Sequence, residues 1–355
     1  MREYGHGGDI YGQTNILDFS ASLNPVGMPY EIVDAVRRSA LESSPYPDPQ
    51  LRRLREVASD RLGVPAESLV FGNGASDLIY RICLALRPEK ALIEEPAFSE
   101  YQKGLELAGC EIFHHAQTRE NGFRTDADGL MKAMAEVRPD MIFMGCPSNP
   151  AGTVVDRKDL AKICDCAKNT GAAVVIDRSF IHFVEGEDES FFREETLERD
   201  NVILLDSMTK IFAMAGLRLG FMITGNAGIC EAVENSLQPW PVSRPAEEAG
   251  IAAFGVGPEF FAKTKRYVTK ERAYLMEGLG SLGMETFDSR ANYVFFRSPA
   301  DLEGLKDRGI LLRNCGNYRS LDGSYYRAAV RTHEENEALL EALRDVLREK
   351  EESDG

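Results

Sequence analysis

The chain has no apolar run approaching the ~20 residues that a bilayer-spanning helix requires, so no membrane segment is expected. It is short of positive charge: 41 lysines and arginines stand against 57 acids, for a formal net charge of -16. That excludes binding to nucleic acid or an anionic membrane through bulk charge. Small anionic ligands are not excluded, because a local arginine cluster can reverse the field inside a cleft. Cysteine is sparse, and its number, seven, is odd, which points to free thiols in a reducing cytoplasm. Cys164-Asp165-Cys166 has no partner pair at zinc-site spacing, so no metal is expected. Met1 to His6 lacks the apolar core of a signal segment. Internal repeats, low-complexity tracts and long linkers are also missing. At 355 residues, this describes a globular chain with a large core, divided into two domains.

What is present is an alternation. Short apolar runs at 68–71, 91–94, 141–144, 172–176, 202–205 and 219–223 read as buried strands. Helical patterns fill 76–86, capped by Ser76, then 99–108 and 156–168. The alternation predicts an α/β fold, a mainly parallel sheet sandwiched by helices. After Ile223 the pattern becomes mostly helical through 228–280. Strands at 293–296 and 326–330 and a final helix over 334–348 then predict a smaller α+β C-terminal domain. The expected division is an N-terminal arm over 1–40, a large domain over 41–235, and an interdomain helix with the small domain over 236–355. In parallel sheets ligands bind beyond the carboxyl ends of the strands. Asn73-Gly74, Glu95-Pro96, Asn149, Asp177 and the segment 207–210 all fall there.

Lys210 ends Ser207-Met208-Thr209-Lys210, directly after a buried strand, and Arg218 follows eight residues later. A lysine so placed, among hydroxyls and an arginine, is set to form an imine with an aldehyde and to bind a phosphate. Pyridoxal 5′-phosphate carries both groups. Asp177 follows five apolar residues, so its carboxylate is desolvated and needs a positive partner. A protonated pyridine nitrogen would serve; a helix cap or a salt bridge to Arg178 or Arg218 are the alternatives. Asn149, in a Pro- and Gly-bounded turn 28 residues before Asp177, has an amide able to donate to the cofactor's ring hydroxyl. Gly74, Ala75 and Ser76 open a helix whose amides suit an anion. Phe98 either covers the ring or belongs to the core.

This combination resembles the fold-type I pyridoxal-phosphate enzymes of the aminotransferase class I/II superfamily. Within it, the chain looks most like the threonine-phosphate decarboxylases of cobalamin biosynthesis, with histidinol-phosphate aminotransferases as near relatives. The resemblance is carried by His6-Gly7-Gly8-Asp9, the segments 17–25, 45–48 and 291–293, Trp240, and the late blocks 312–318 and 325–331. It implies that Lys210 holds the cofactor and moves the proton. Asp177 would pair with the ring nitrogen, Asn149 with the ring hydroxyl, and Phe98 would stack. Gly74, Ala75, Ser76, Ser207, Thr209 and Arg218 would bind the cofactor phosphate, joined by Tyr46 reaching into the neighbouring subunit of a homodimer with shared active sites. Arg331 and Arg313 would take the substrate's anionic groups, with His6 and Asn24 finishing the pocket. The implied activity is decarboxylation of L-threonine O-3-phosphate, or of O-phosphoserine. The alternative is an aminotransferase acting on histidinol phosphate or a related amino acid. Arg178, standing where the family usually has an acid, raises a third reading, cofactor binding without catalysis.

Overall fold

The structure, a computed structural model, describes residues 5–12, 14–186 and 193–354. A short arm strand, β1 (Leu17–Asp18), precedes the main sheet. That sheet comprises β2 (Leu69–Gly72), β3 (Lys90–Glu95), β4 (Glu111–Ala116), β5 (Met141–Gly145), β6 (Ala173–Asp177), β7 (Val202–Ser207) and β8 (Gly220–Ile223). The strand order is β2-β8-β7-β6-β5-β3-β4, and β8 runs antiparallel to both of its neighbours. The other neighbouring strands pair in parallel. Helices cover both faces, which is why the central strands read as unbroken apolar runs. β4 escapes that reading. It lies at the sheet edge, is only partly buried, and carries His114 and His115 where a central strand would be apolar.

One face of the sheet is packed by the helices Arg52–Leu62, Ala127–Val137 and Arg157–Thr170, and by Arg244–Phe254 lying against Tyr30–Leu41. Ile32, from the segment expected as an arm, is fully buried in this core, as are Ala246 and Ala249. The other face is packed by Ala75–Leu86, Ser99–Leu107 and Ala227–Ser236. β8 passes so close to the first of these that a Cβ on Gly220 would lie 2.4 Å from the Ala75 nitrogen.

The smaller unit has an antiparallel sheet of β9 (Glu285–Thr286), β10 (Tyr293–Arg297), β12 (Arg313–Asn314) and β13 (Tyr325–Ala329), in the order β12-β13-β10-β9. β11 (Ile310–Leu311) pairs instead with arm strand β1, in parallel. The 24-residue helix Pro258–Ser281 joins the two units: Phe261 and Val268 pack in the large core, Leu275 and Leu279 in the small one. The closing helix runs over His333–Asp354, one turn and more beyond the expected end, and buries Leu339, Leu340, Leu343 and Val346. Phe19, from the arm, is fully buried among them. Truncation of so large a buried ring costs about 3–5 kcal/mol. Phe19→Ala is therefore expected to lower unfolding stability by that amount in urea titration. A loss of less than about 1 kcal/mol, the value of a surface change, would show that the arm is not part of the small core.

Candidate active site

At the end of β2 the chain turns through Asn73-Gly74 into the helix Ala75–Leu86. Gly74, not Ser76, holds the cap position, with φ at +83°. A Cβ on Gly74 would lie 2.5 Å from Nη2 of Arg218. Glycine is thus required both for its left-handed backbone and for the approach of the guanidinium. Ala75 and Ser76 are in the first turn, where amides have no intrahelical acceptor. Gly220, against the Ala75 nitrogen, pairs across the sheet with Ser207, whose Oγ is 2.7 Å from Oγ1 of Thr209. Gly74, Ala75, Ser76, Ser207, Thr209 and Arg218 are thereby gathered at one corner. A helix N-terminus, two hydroxyls and a guanidinium are groups that could together hold an anion.

Lys210 sits in the short helix Met208–Ile211 that follows β7. Among the described residues its ammonium has no hydrogen-bond partner, and it lies 6.0 Å from the centre of the Phe180 ring. Burial lowers its pKa to about 8, and the nearby Arg327 and Arg218 charges act in the same direction. Asp177 ends β6 and is 8% exposed. Its Oδ2 accepts from the Tyr101 hydroxyl at 2.7 Å, and its Oδ1 from the Ser179 amide and hydroxyl at 2.9 and 2.6 Å. Burial nonetheless pushes the carboxyl above its usual range. Arg178 does not relieve it. One residue further along the chain, just past the strand, Arg178 turns to the opposite face, where Nη2 lies 3.9 Å from Asp206, with His182 at 3.3 Å from the same oxygen. Arg218 points to Gly74. Asp177 makes no ion pair among the described residues.

The oxygen of Asn149 accepts from Nη1 of Arg327 at 2.5 Å and from the Tyr318 hydroxyl at 3.2 Å. Both neighbours are donors, so the amide nitrogen must point away from them, free to donate. Arg327 was missed in the sequence. It lies in β13, is 7% exposed, stacks over Tyr293 at 5.0 Å and donates to the Ser20 carbonyl at 3.0 Å. Arg327 and Arg313 are direct cross-strand partners, so both project from the same face of the small sheet.

Arg331, expected in this role, lies elsewhere. It has left the strand, donates to the Asp18 carbonyl at 2.9 Å, pairs with Glu335 at 2.7 Å and stacks over Phe19. These contacts secure the arm. Asn24 is likewise engaged within the chain. Its amide donates to the Ile211 carbonyl at 2.7 Å and to Thr264 at 3.0 Å, and its backbone amide to the Lys210 carbonyl at 3.0 Å. It is buried and committed, and it braces the lysine segment from behind. Arg313 and His6 do reach a common cleft, lined also by Phe98, Ser99, Asn317 and Tyr318. The His6 and Phe98 rings are 5.6 Å apart. Glu95 lines the same cleft, and burial raises its carboxyl to about 7. Tyr46 is 76% exposed and stacks on Trp240 at 4.1 Å.

Comparison with known proteins gives this geometry its context. Residues 14–343 match the family Aminotransferase class I and II. The chain belongs to that family. It is 31% identical to the threonine-phosphate decarboxylase of Salmonella typhimurium, over 96% of each chain. It is also 31% identical to a histidinol-phosphate aminotransferase of Desulfitobacterium hafniense, over 92% of this chain and 91% of that one. Among solved structures, the histidinol-phosphate aminotransferase of Clostridium acetobutylicum superposes with a TM-score of 0.86 at 27% identity, covering 93% of this chain and 99% of that one. The aminotransferase class I and II fold is thus the fold seen here.

The family's cofactor is pyridoxal 5′-phosphate, and the residues of this chain fit it. The anion corner matches its phosphate, the uncompensated Asp177 carboxylate its ring nitrogen, the donating Asn149 amide its ring oxygen, and the unpartnered Lys210 amine its aldehyde. Phe98 stands beside the cleft where a ring face needs cover. Arg327 carried a signal that sequence reading had available, a charge in the middle of an otherwise apolar strand. Arg331 lies just beyond that strand.

Two outcomes are expected. Cofactor capture by the cofactor-free protein should accelerate with pH and level off above about pH 8, where the Lys210 amine becomes neutral. A rate still rising toward the ordinary lysine value of ~10.4 would contradict this environment. Arg327→Ala should lower kcat/KM by about 10–100-fold, the value of a charge-assisted hydrogen bond. Steady-state kinetics should show the larger loss there and not in Arg331→Ala; the reverse order would show that Arg331, not Arg327, faces the substrate.

Proposed function

We propose that this protein decarboxylates L-threonine O-3-phosphate to (R)-1-amino-2-propanol O-phosphate, with O-phosphoserine giving ethanolamine phosphate as a second substrate. The product is the kind of amino-alcohol phosphate that the resemblance to cobalamin-pathway enzymes implies. The observation that carries the reading is the cross-strand pair Arg313 and Arg327. Like charges directly opposite each other on a sheet are destabilising, so two buried or half-buried arginines there favour ligands with anionic groups at both ends. A phosphorylated amino acid has a carboxylate at one end and a phosphate at the other. The decarboxylase relative at 31% identity supports the same reading.

Pyridoxal 5′-phosphate, when bound, supplies an electron sink for a bond at the substrate's Cα. The chain's residues determine which bond that is. Asp177 would hold a proton at the ring nitrogen, and Asn149 would donate to the ring oxygen. Arg327, beside Lys210 and Asn149, would take the carboxylate. Arg313 and His6, at the Phe98 end of the cleft, would take the phosphate. Anchors at both ends fix the rotation about Cα, which decides whether the carboxylate or the hydrogen is the group lost. Orientation of this kind draws on remote binding energy and can supply up to ~7–11 kcal/mol. Lys210, with its pKa lowered to about 8, can hold a proton and deliver it to Cα near neutral pH.

The reading extends to a homodimer with shared active sites, which the exposed aromatic pair of Tyr46 and Trp240 supports as a surface able to meet a second copy. It also places the enzyme in the cytoplasm, consistent with seven free cysteines. The aminotransferase relative at 31% identity favours a second reading, amine transfer from histidinol phosphate or a related amino acid. Incubation with O-phosphothreonine, in one arm without a keto acid and in the other with 2-oxoglutarate, separates the two. Release of carbon dioxide is expected. Transfer of the amine to 2-oxoglutarate without carbon dioxide would sink the decarboxylase reading.

A further inference from the structure

We infer that Glu100 is a positioning residue that fixes the N-terminal arm across the cleft, so that His6 and Arg313 meet the substrate's remote anionic group together. This rests on the phosphorylated-substrate reading. Glu100 lies in the first turn of the helix Ser99–Leu107, which begins at Phe98. An acid in a first turn is ordinary; a buried one needs partners. Its carboxylate collects them from three elements. His6 Nε2 is 2.7 Å from Oε1, Lys103 Nζ donates to the same oxygen at 2.6 Å, and the Tyr80 hydroxyl donates to Oε2. Ser99 adds a longer contact at 3.3 Å. Burial pushes the carboxyl up, but the hydrogen bonds from His6, Lys103 and Tyr80 outweigh this and bring it to about 2. An ionised carboxylate can only accept, so Nε2 of His6 carries the hydrogen, which fixes the ring's orientation.

The arm is fastened on its other side by the small unit. The Gly5 carbonyl accepts from Arg313 Nη2 at 2.7 Å and from the Asn317 amide at 3.1 Å. Gly8 donates to the Ser20 hydroxyl at 2.7 Å, and a Cβ on Gly7 would lie 2.2 Å from the Ser20 carbonyl oxygen. Residues 5–8 therefore follow a defined path along the small unit, and the Glu100 hydrogen bond ties that path to the large unit. Breaking it leaves Arg313 in place but removes the contact that orients His6 from the large unit, so one of the anion's two anchors is loosened.

Glu100→Gln keeps the size and removes the charge, and His6→Ala and the double variant complete a cycle. Binding of O-phosphothreonine and of L-threonine to each holoenzyme is measured from the shift of the visible cofactor band. Deuterium uptake of the peptide holding residues 5–8 is measured without ligand. Glu100→Gln is expected to weaken O-phosphothreonine binding by about 10-fold, the value of a hydrogen bond to a charged group, with the L-threonine constant moving much less. It should also raise exchange over residues 5–8, and add no further loss to His6→Ala. Equal loss for both ligands, additive losses in the cycle, or unchanged exchange in Glu100→Gln would each overturn the inference. If the wild-type protein itself fails to prefer O-phosphothreonine over L-threonine, the phosphorylated-substrate reading fails instead. The exchange measurement then still decides whether Glu100 holds the arm.

Discussion

Asp177 and Lys210 are both desolvated, at or just beyond neighbouring strand ends, without pairing with each other, and the rest of the site is arranged around that separation. Burial acts on them in opposite directions, raising the carboxyl and lowering the ammonium. In water each would be solvated; at the strand ends each is held where its charge is costly. Folding tolerates this because the surroundings are over-determined. Tyr101 and Ser179 fix Asp177, the Tyr101 ring stacks on Phe143 in the core, and Phe180 lies beneath Lys210. A ligand bringing a cationic nitrogen to one end and an aldehyde to the other relieves both groups at once. Perturbed titration of this kind concentrates at functional sites.

The same principle explains the buried charge on the opposite face of the sheet. Arg178, Asp206 and His182 sit together there, and Asp206 also accepts from the Ser207 amide at 2.8 Å. Burial raises the Asp206 carboxyl, but His182 and Arg178 reverse the effect. Compensated charge beneath the sheet and uncompensated charge above it are separated by one residue of strand alternation. Arg178 leaves the cofactor side unaltered for that reason, and the reading of a non-catalytic relative loses its only support.

What was legible in the sequence was what depends on local pattern. A polar residue ending an apolar run identified Asp177 and the segment around Lys210, because strand ends in a parallel sheet converge on one edge. The glycines before Ala75 likewise declared a turn. Orientation and register were not legible. Arg327 stands inside an apolar run and Arg331 just past it, but which of the two faces the site is decided by the pairing of β13 with β12, which forms only in the folded small unit. Asn24 looked like a ligand because it is polar and lies in a family-like segment, yet its amide is used up by Ile211 and Thr264, more than 180 residues away. Glu100 gave no signal, since an acid in a first helical turn is unremarkable until its partners are known. The edge strand β4 was missed because its histidines obey exposure, not burial.

The exposed stack of Tyr46 on Trp240 has a practical side. This is the chain's single tryptophan, and it is 39% exposed and held flat against a ring that is itself mostly in solvent. Light absorbed by indole at the red edge of the protein spectrum is therefore emitted from one known point on the surface. That point is far from the polar cleft chemistry in composition but borders the helix Arg244–Phe254, which begins four residues later. The protein thus has a built-in fluorophore whose colour depends on whether that patch meets water or another surface, with no label and no substitution needed.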